Sequence, residues 1–291
     1  MKISTAYWTV FKEVVMVSIL ELMNMETGEI TELHRFDHRM EAPFFKGEGE
    51  LWYNDGGRIY SFSLTNGAIT EIPTGFCTHC NNDHVLSPDG KQLAVSHHAA
   101  EDGGSRIYIV DLIGDQPPRL VTPLAPSYLH GWSPDGEWLA YCAGRGGEFD
   151  VYAVPAAGGV ERRLTFSEGL NDGPEYGPDG KIYFNSVRAG LMDCYVMEAD
   201  GSNPRRITDN GRNNWFPHIS PDGQTIVYVS YAAGDVQPGD HPPDKHVELR
   251  KILPDGTGDT LLRPLFGGQG TINVNSWSPD SRYIAYVRYE V

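Results

Sequence analysis

The chain has 291 residues, 40% of them hydrophobic, and its 39 acidic against 23 basic side chains give a net charge of −16. With no long run of lysine or arginine there is no phosphate-binding stripe, so nucleic acid and anionic membrane surfaces are not expected partners. The 33 glycines and 20 prolines are spread along the chain rather than gathered in low-complexity segments, which suits many short strands joined by turns and one domain over residues 1–291.

In chain order, the first apolar run, Val14 to Leu20, is short, interrupted by Ser18 and flanked by charges. It reads as a strand rather than a signal peptide or membrane span, and a cytoplasmic location is expected. The glycine turn Met25-Glu26-Thr27-Gly28-Glu29 follows. Lys46-Gly47-Glu48-Gly49 is then a degraded copy of a turn that recurs as Ser87-Pro88-Asp89-Gly90, Ser133-Pro134-Asp135-Gly136, Gly177-Pro178-Asp179-Gly180, Ser220-Pro221-Asp222-Gly223 and Ser278-Pro279-Asp280-Ser281. Proline presets φ, aspartate bonds its own backbone, glycine accepts positive φ, and a β-favouring run follows each copy. Successive copies start 41, 46, 44, 43 and 58 residues apart. A period of about 40 to 45 residues is that of four-stranded propeller blades.

A second turn series runs out of phase with the first: Leu64-Thr65-Asn66-Gly67, Ile113-Gly114-Asp115-Gln116, Ala156-Ala157-Gly158-Gly159, Ala199-Asp200-Gly201-Ser202 and Pro254-Asp255-Gly256-Thr257. Each repeat is therefore strand A, Pro-Asp-Gly turn, strand B, variable loop, strand C, glycine hairpin, strand D. The first glycine turn has no Pro-Asp-Gly turn before it and the last Pro-Asp turn has no hairpin after it. The expectation is an all-β, six-bladed propeller of four-stranded antiparallel blades. One blade is shared: residues 14–37 supply its outer strands and 272–291 its inner ones, which removes exposed sheet edges.

This topology puts the regular turns on one face of the disc and the D–A crossings and B–C loops on the other. The irregular face gathers Asn82, Asp83, His84, His97, His98, His130, Arg145, Asp172, Glu175, Arg188, Trp215, His218, Tyr231, His246 and Asn273. A proline-rich, acidic B–C loop of the sixth blade, 232–246, reads as a lid over that face. His97, His218 and His246 are candidate ligands of a divalent ion such as Zn, Mn, Ni or Ca, since ligands from different blades can converge on a channel. Asp83, Glu175, His218 and Tyr231 are candidate acid and base groups for glycoside cleavage or β-elimination. Asn82, His84, His98, His130, Asp172, Arg145, Arg188, Trp215 and Asn273 are candidate ligand contacts, with the arginines suited to a carboxylate and Trp215 to stacking on a sugar. Cys77-Thr78-His79-Cys80 has metal-like spacing, but no second pair follows it, so loop or buried thiols are expected there.

The Ser-Pro-Asp-Gly turn and the strand D endings Arg119-Leu120-Val121-Thr122, Arg163-Leu164-Thr165 and Arg206-Ile207-Thr208 resemble the TolB-like β-propeller repeat over residues 14–291. The loop sequences resemble a narrower bacterial group of TolB-like propellers of unknown function and, more distantly, oligogalacturonate lyases, which hold a divalent metal at the channel mouth. The resemblance implies fold more than activity, because function sits in the loops. The expected function is binding of a saccharide-like or carboxylate-bearing small ligand at the channel mouth. A metal-assisted lyase or glycoside hydrolase is the alternative, and a protein-interaction scaffold the third.

Overall fold

The computed structural model describes residues 16–291, so Val14 and Val15 of the predicted first strand, and the segment read for a leader, lie outside the described residues. Six antiparallel sheets are arranged as blades of a propeller. Blade 1 joins Val17–Asn24 and Ile30–Phe36 to Tyr283–Glu290. Blades 2 to 6 are four-stranded, and their innermost strands are Glu41–Lys46, Cys80–Leu86, Ser127–Trp132, Asn171–Tyr176 and Asn213–Ile219.

The repeated residues are explained by the hydrogen bonds they make. In the fourth blade, Ser133 Oγ donates to Asp135 Oδ1 at 2.5 Å while accepting from Trp138 N at 2.8 Å, and Gly136 sits at φ 78°. The same serine-to-aspartate bond recurs at Ser87, Ser220 and Ser278. The strand D threonines act in a parallel way, since Thr122, Thr165 and Thr208 accept the backbone N–H of Ile107, Val151 and Cys194 on strand C. They replace ladder bonds that the short D strands do not make, so a buried N–H is not left unpaired.

The ring closes through eight antiparallel residue pairs, from Val17 opposite Glu290 to Asn24 opposite Tyr283. Leu20, Ala285 and Val287 pack there with Phe36, Leu51 and Tyr53. Glu21, almost fully buried, is clasped at the same seam by Arg263 of blade 6 and by Arg288, whose Nε donates at 2.9 Å. The innermost position of blade 1 departs from a regular strand: after a short 3-10 turn at Gln269–Thr271, only a single bridge, Trp277 to Ile284, joins it to its sheet. Its polar groups turn to neighbouring blades instead, with Asn275 Nδ2 donating to Ile219 O at 3.0 Å and Ile272 O facing His218.

Breaking a buried, hydrogen-bonded ion pair from one side strands its partners. Replacing Glu21 by alanine is expected to lower unfolding free energy by about 3 kcal/mol, read from urea denaturation, and a variant that melts with the wild type would remove this seam from the account.

Candidate functional site

Inner strands of blades 2 to 6 share one irregularity near the channel mouth. Register breaks fall between Glu41 and Phe44, Cys80 and His84, Leu129 and Gly131, Asp172 and Glu175, and Trp215 and His218. A bulge re-aims the side chains beside it, which is why bulges gather at functional rims. Three carry a positive-φ residue just before a proline: Ala42 at 54°, Gly173 at 58° and Phe216 at 59°. For phenylalanine this conformation is strained. It is held by Asn185, whose Oδ1 accepts Phe216 N at 3.0 Å, and it turns the ring toward the mouth.

The bulges open onto a cavity of about 760 Å³ on the loop face, lined among others by Asn81, Asp83, Tyr128, His130, Phe149, Asp172, Phe216, His241, Gln269 and Asn273. Its floor is a cluster of charged and amide groups. His130 Nε2 lies 3.4 Å from Asp172 Oδ1 and 4.0 Å from Asp83 Oδ1. Asp172 Oδ2 lies 3.8 Å from His241 Nε2, and its Oδ1 accepts Gly173 N at 2.7 Å. Asp83 accepts side-chain amides from Asn273 at 2.8 Å and Asn81 at 2.6 Å. The walls are aromatic: Tyr128 and Phe149 are stacked at 6.5 Å, and Phe216 lies over His130 at 6.4 Å.

Burial and charge pull the floor groups apart. Burial raises Asp83 from the ordinary aspartate value. For Asp172 burial acts in the same direction but is outweighed by His130 and His241, which hold its carboxyl well below that range. Burial opposes the charged form of His130, yet Asp83 and Asp172 together raise it above the ordinary histidine value. Two neighbouring carboxylates displaced in opposite directions are the pattern of an acid and base pair.

The comparisons with known proteins follow the same architecture. The TolB β-propeller domain model matches in two overlapping stretches, residues 58–181 and 125–261. The chain belongs to the TolB β-propeller family. It is 45% identical over 277 residues to an uncharacterized protein of Agrobacterium fabrum, covering 94% of this chain and 93% of the relative. It is similar to a solved TolB-type structure from Agrobacterium tumefaciens at TM-score 0.90 and 45% identity, over 95% of this chain and 99% of that one. TolB from Acinetobacter baumannii gives a TM-score of 0.67 at 20% identity, over 87% of this chain and 64% of that one. Oligogalacturonate lyase from Vibrio parahaemolyticus gives 0.52 at 14%, over 86% of this chain and 73% of that one, and at these identities the likeness is one of fold alone.

Within this TolB-type propeller the predicted site residues separate into groups. Asp83, His130, Asp172 and Asn273 line the mouth together, with His98 at its edge, where its Nδ1 lies 3.0 Å from Gly103 O. Glu175 and His218 meet deeper in the channel at 2.5 Å, and His218 Nε2 faces Ile272 O at 2.6 Å, so both ring nitrogens point at acceptors. His84 is buried on the channel wall 3.0 Å from Ala42 O, and burial pushes it down to about 4. Asn82 is buried and accepts Asn54 Nδ2 at 3.0 Å.

The remaining candidates have structural partners. Arg145 forks onto Glu161 at 2.8 and 2.9 Å, and Arg188 donates to Ser186 and Asn171 and lies over Phe184 and Tyr195, so neither guanidinium faces the cavity. Trp215 has no exposed surface and packs edge-on against His241 at 4.3 Å, behind the wall that Phe216 presents. Tyr231 is buried, and its hydroxyl donates to Pro242 O at 2.9 Å. His97, His218 and His246 occupy three settings: His97 accepts His79 N, His218 lies in the channel, and His246, on the third strand of blade 6, packs on Phe266 of the outer strand. Among the described residues no group of three His, Cys, Asp or Glu side chains is arranged to hold a metal ion. Cys77 and Cys80 are buried free thiols, each pushed up to about 12 by burial.

Two contributors carry no signal in the sequence. Phe149 lies two residues past the glycine pair Gly146-Gly147, with no pattern that marks it as a wall of the mouth. His241 sits in the sixth-blade loop, whose fold over the channel is what delivers it. Arg39 bonds both oxygens of Asp244 at 2.8 and 2.9 Å, Tyr231 holds Pro242, and Gly268 lies so close beneath that an added Cβ would sit 2.3 Å from Pro242 O. Gly268, at φ 136°, is therefore a position no side chain can take without lifting the loop.

Two outcomes follow from this geometry. Gly268→Ala is expected to speed limited proteolysis within residues 232–244 several-fold, whereas unchanged cleavage would mean the loop is not pinned there. The His130 imidazole is expected to titrate above the ordinary value of about 6.5 in NMR, and to move down in Asp172→Asn, with Asp83 still present. A raised histidine stabilises the fold fully below the unfolded value and loses that contribution as pH rises through the folded one. Unfolding free energy should accordingly fall over that window, and fall less in the variant.

Proposed function

We propose that this TolB-type propeller binds a small, polyhydroxylated, saccharide-like ligand in the mouth cavity. The observation that carries the reading is one open-mouthed cavity combining aromatic side chains, Tyr128, Phe149 and Phe216, with polar groups on Asn81, Asp83, Asp172, Gln269 and Asn273. Apolar ring faces and hydroxyls of a sugar need those two kinds of surface side by side, and sites of this kind and volume are typical for small ligands. Of the two ligand chemistries the sequence points to, the saccharide is favoured over the carboxylate, because Arg145 and Arg188 are committed to Glu161 and to Asn171. A binding site also gives the loop of residues 232–244 a role, since it brings His241 to the cavity and covers the ligand from water.

One observation favours a second reading, a glycoside hydrolase or lyase at the same mouth: Asp83 and Asp172 are displaced in opposite directions around His130. Asp83 would serve as the acid and Asp172 as the base or charge stabiliser. A metal-assisted version of that chemistry would require added divalent ions.

Titration of the protein with a library of mono- and disaccharides, followed by NMR and calorimetry, tests both readings. Saturable binding is expected, weakened about tenfold by Phe216→Ala and by Asn81→Ala, each a loss of about 1.4 kcal/mol. Binding that survives both substitutions unchanged would place the ligand elsewhere. Turnover of bound oligosaccharide, abolished by Asp83→Asn or dependent on added divalent ions, would convert the binding reading into the enzymatic one.

A further inference from the structure

We propose that the mouth cavity selects a saccharide carrying a free protonated amine, an amino sugar, with its ammonium group seated against Asp83 and Asn273. The inference rests on the saccharide reading and adds the charge of the ligand.

The charge census of the cavity points this way. Asp83, Glu148 and Asp172 are among its lining residues, and neither lysine nor arginine is. His130 stands with one nitrogen toward both Asp83 and Asp172, and His241 faces Asp172 as well, so the carboxylate left without a histidine of its own is Asp83, 4.0 Å from the His130 nitrogen that Asp172 approaches at 3.4 Å. A cation supplied by the ligand neutralises that carboxylate. The net charge of −16 draws cations toward the molecule as a whole.

The second observation is independent of charge. Asn273 gives its amide nitrogen to Asp83, which fixes its Oδ1 as the other end of the side chain, and that oxygen is buried with no partner. An unpaired buried acceptor costs about 1 to 3 kcal/mol, and one beside a carboxylate calls for a donor. Asn81 also turns its nitrogen to Asp83 and uses its oxygen on Asp83 N. Both amides thus hold Asp83 as an acceptor. An ammonium group has three donors and no acceptor, so it satisfies Asp83 and Asn273 Oδ1 together. Tyr128, Phe149 and Phe216 line the same cavity, and aromatic rings attract a nearby cation. N-acetylation removes the charge and two of the three donors, which makes the acetylated sugar the discriminating control.

The test is calorimetric titration of the full chain with glucosamine, N-acetylglucosamine and glucose, and with the β-1,4 disaccharides of each. Glucosamine or its disaccharide is expected to bind about tenfold or more tightly than the other two, and Asp83→Asn to bring the three within about twofold of one another. Should Asp83→Asn not fold, Asn273→Ser and the acid dependence of the wild-type preference replace it. Burial raises Asp83, so lowering the pH from neutrality protonates it and should erase the preference. Equal affinities, or a preference that survives these changes, overturn the amine assignment and leave the saccharide reading standing. If no sugar of any kind binds, both fall.

Discussion

Closure of the ring is the constraint on which everything else depends. Pairing Val17–Asn24 with Tyr283–Glu290 joins the two ends of the described chain in one sheet, and every blade then has a neighbour on both sides. The same closure brings the C-terminal inner segment into the channel. Asn273 reaches Asp83, 190 positions earlier, and Ile272 O reaches His218. Because that segment is committed to other blades, it makes only one bridge to its own sheet. The irregularity of blade 1 and the composition of the site therefore have one cause.

The channel wall holds an unusual load of buried polar groups for an all-β core. Asp83, Glu175, His130 and His218 are nearly inaccessible, and each has charged or amide partners from another blade. Charges buried this way add little net stability, since desolvation consumes most of the attraction. Hydrophobic packing between blades, such as the cluster of Trp215, Tyr231, Trp277 and Tyr286, is the stabilising part of the structure. The polar channel is carried by it, and so is the strained backbone of Phe216. Asp83, His130 and the positive-φ Phe216 meet at the mouth cavity, while Glu175 and His218 sit deeper in the channel.

The sixth-blade loop links scaffold and site. Its anchors at Arg39, Tyr231 and Gly268 come from three separate parts of the chain, so tertiary contacts hold it in addition to its own turns at 232–235 and 237–240. Through it Asp172 gains a second histidine neighbour, and the floor of the mouth is completed from above.

The architecture is legible in the chain because turn chemistry is local: serine, proline, aspartate and glycine set one another's backbone within four residues, and their period counts the blades. The offset of the two turn series gives the closure, and topology alone puts Asp83, His130, Asp172 and Asn273 on one face. Which of that face's residues meet depends on three-dimensional packing. Arg145 and Arg188 stand at matching loops, yet Glu161 and Asn171 take them, because a guanidinium pairs with the nearest acceptor whatever its position in the repeat. His97, His218 and His246 share a face but sit on the second strand of blade 3, in the channel and on the third strand of blade 6. Trp215 and Phe216 are adjacent in sequence, and a bulge with positive φ sends the tryptophan inside and the phenylalanine to the cavity. Radial position and bulge register depend on packing between blades, and one sequence read along its length carries no local signal for either.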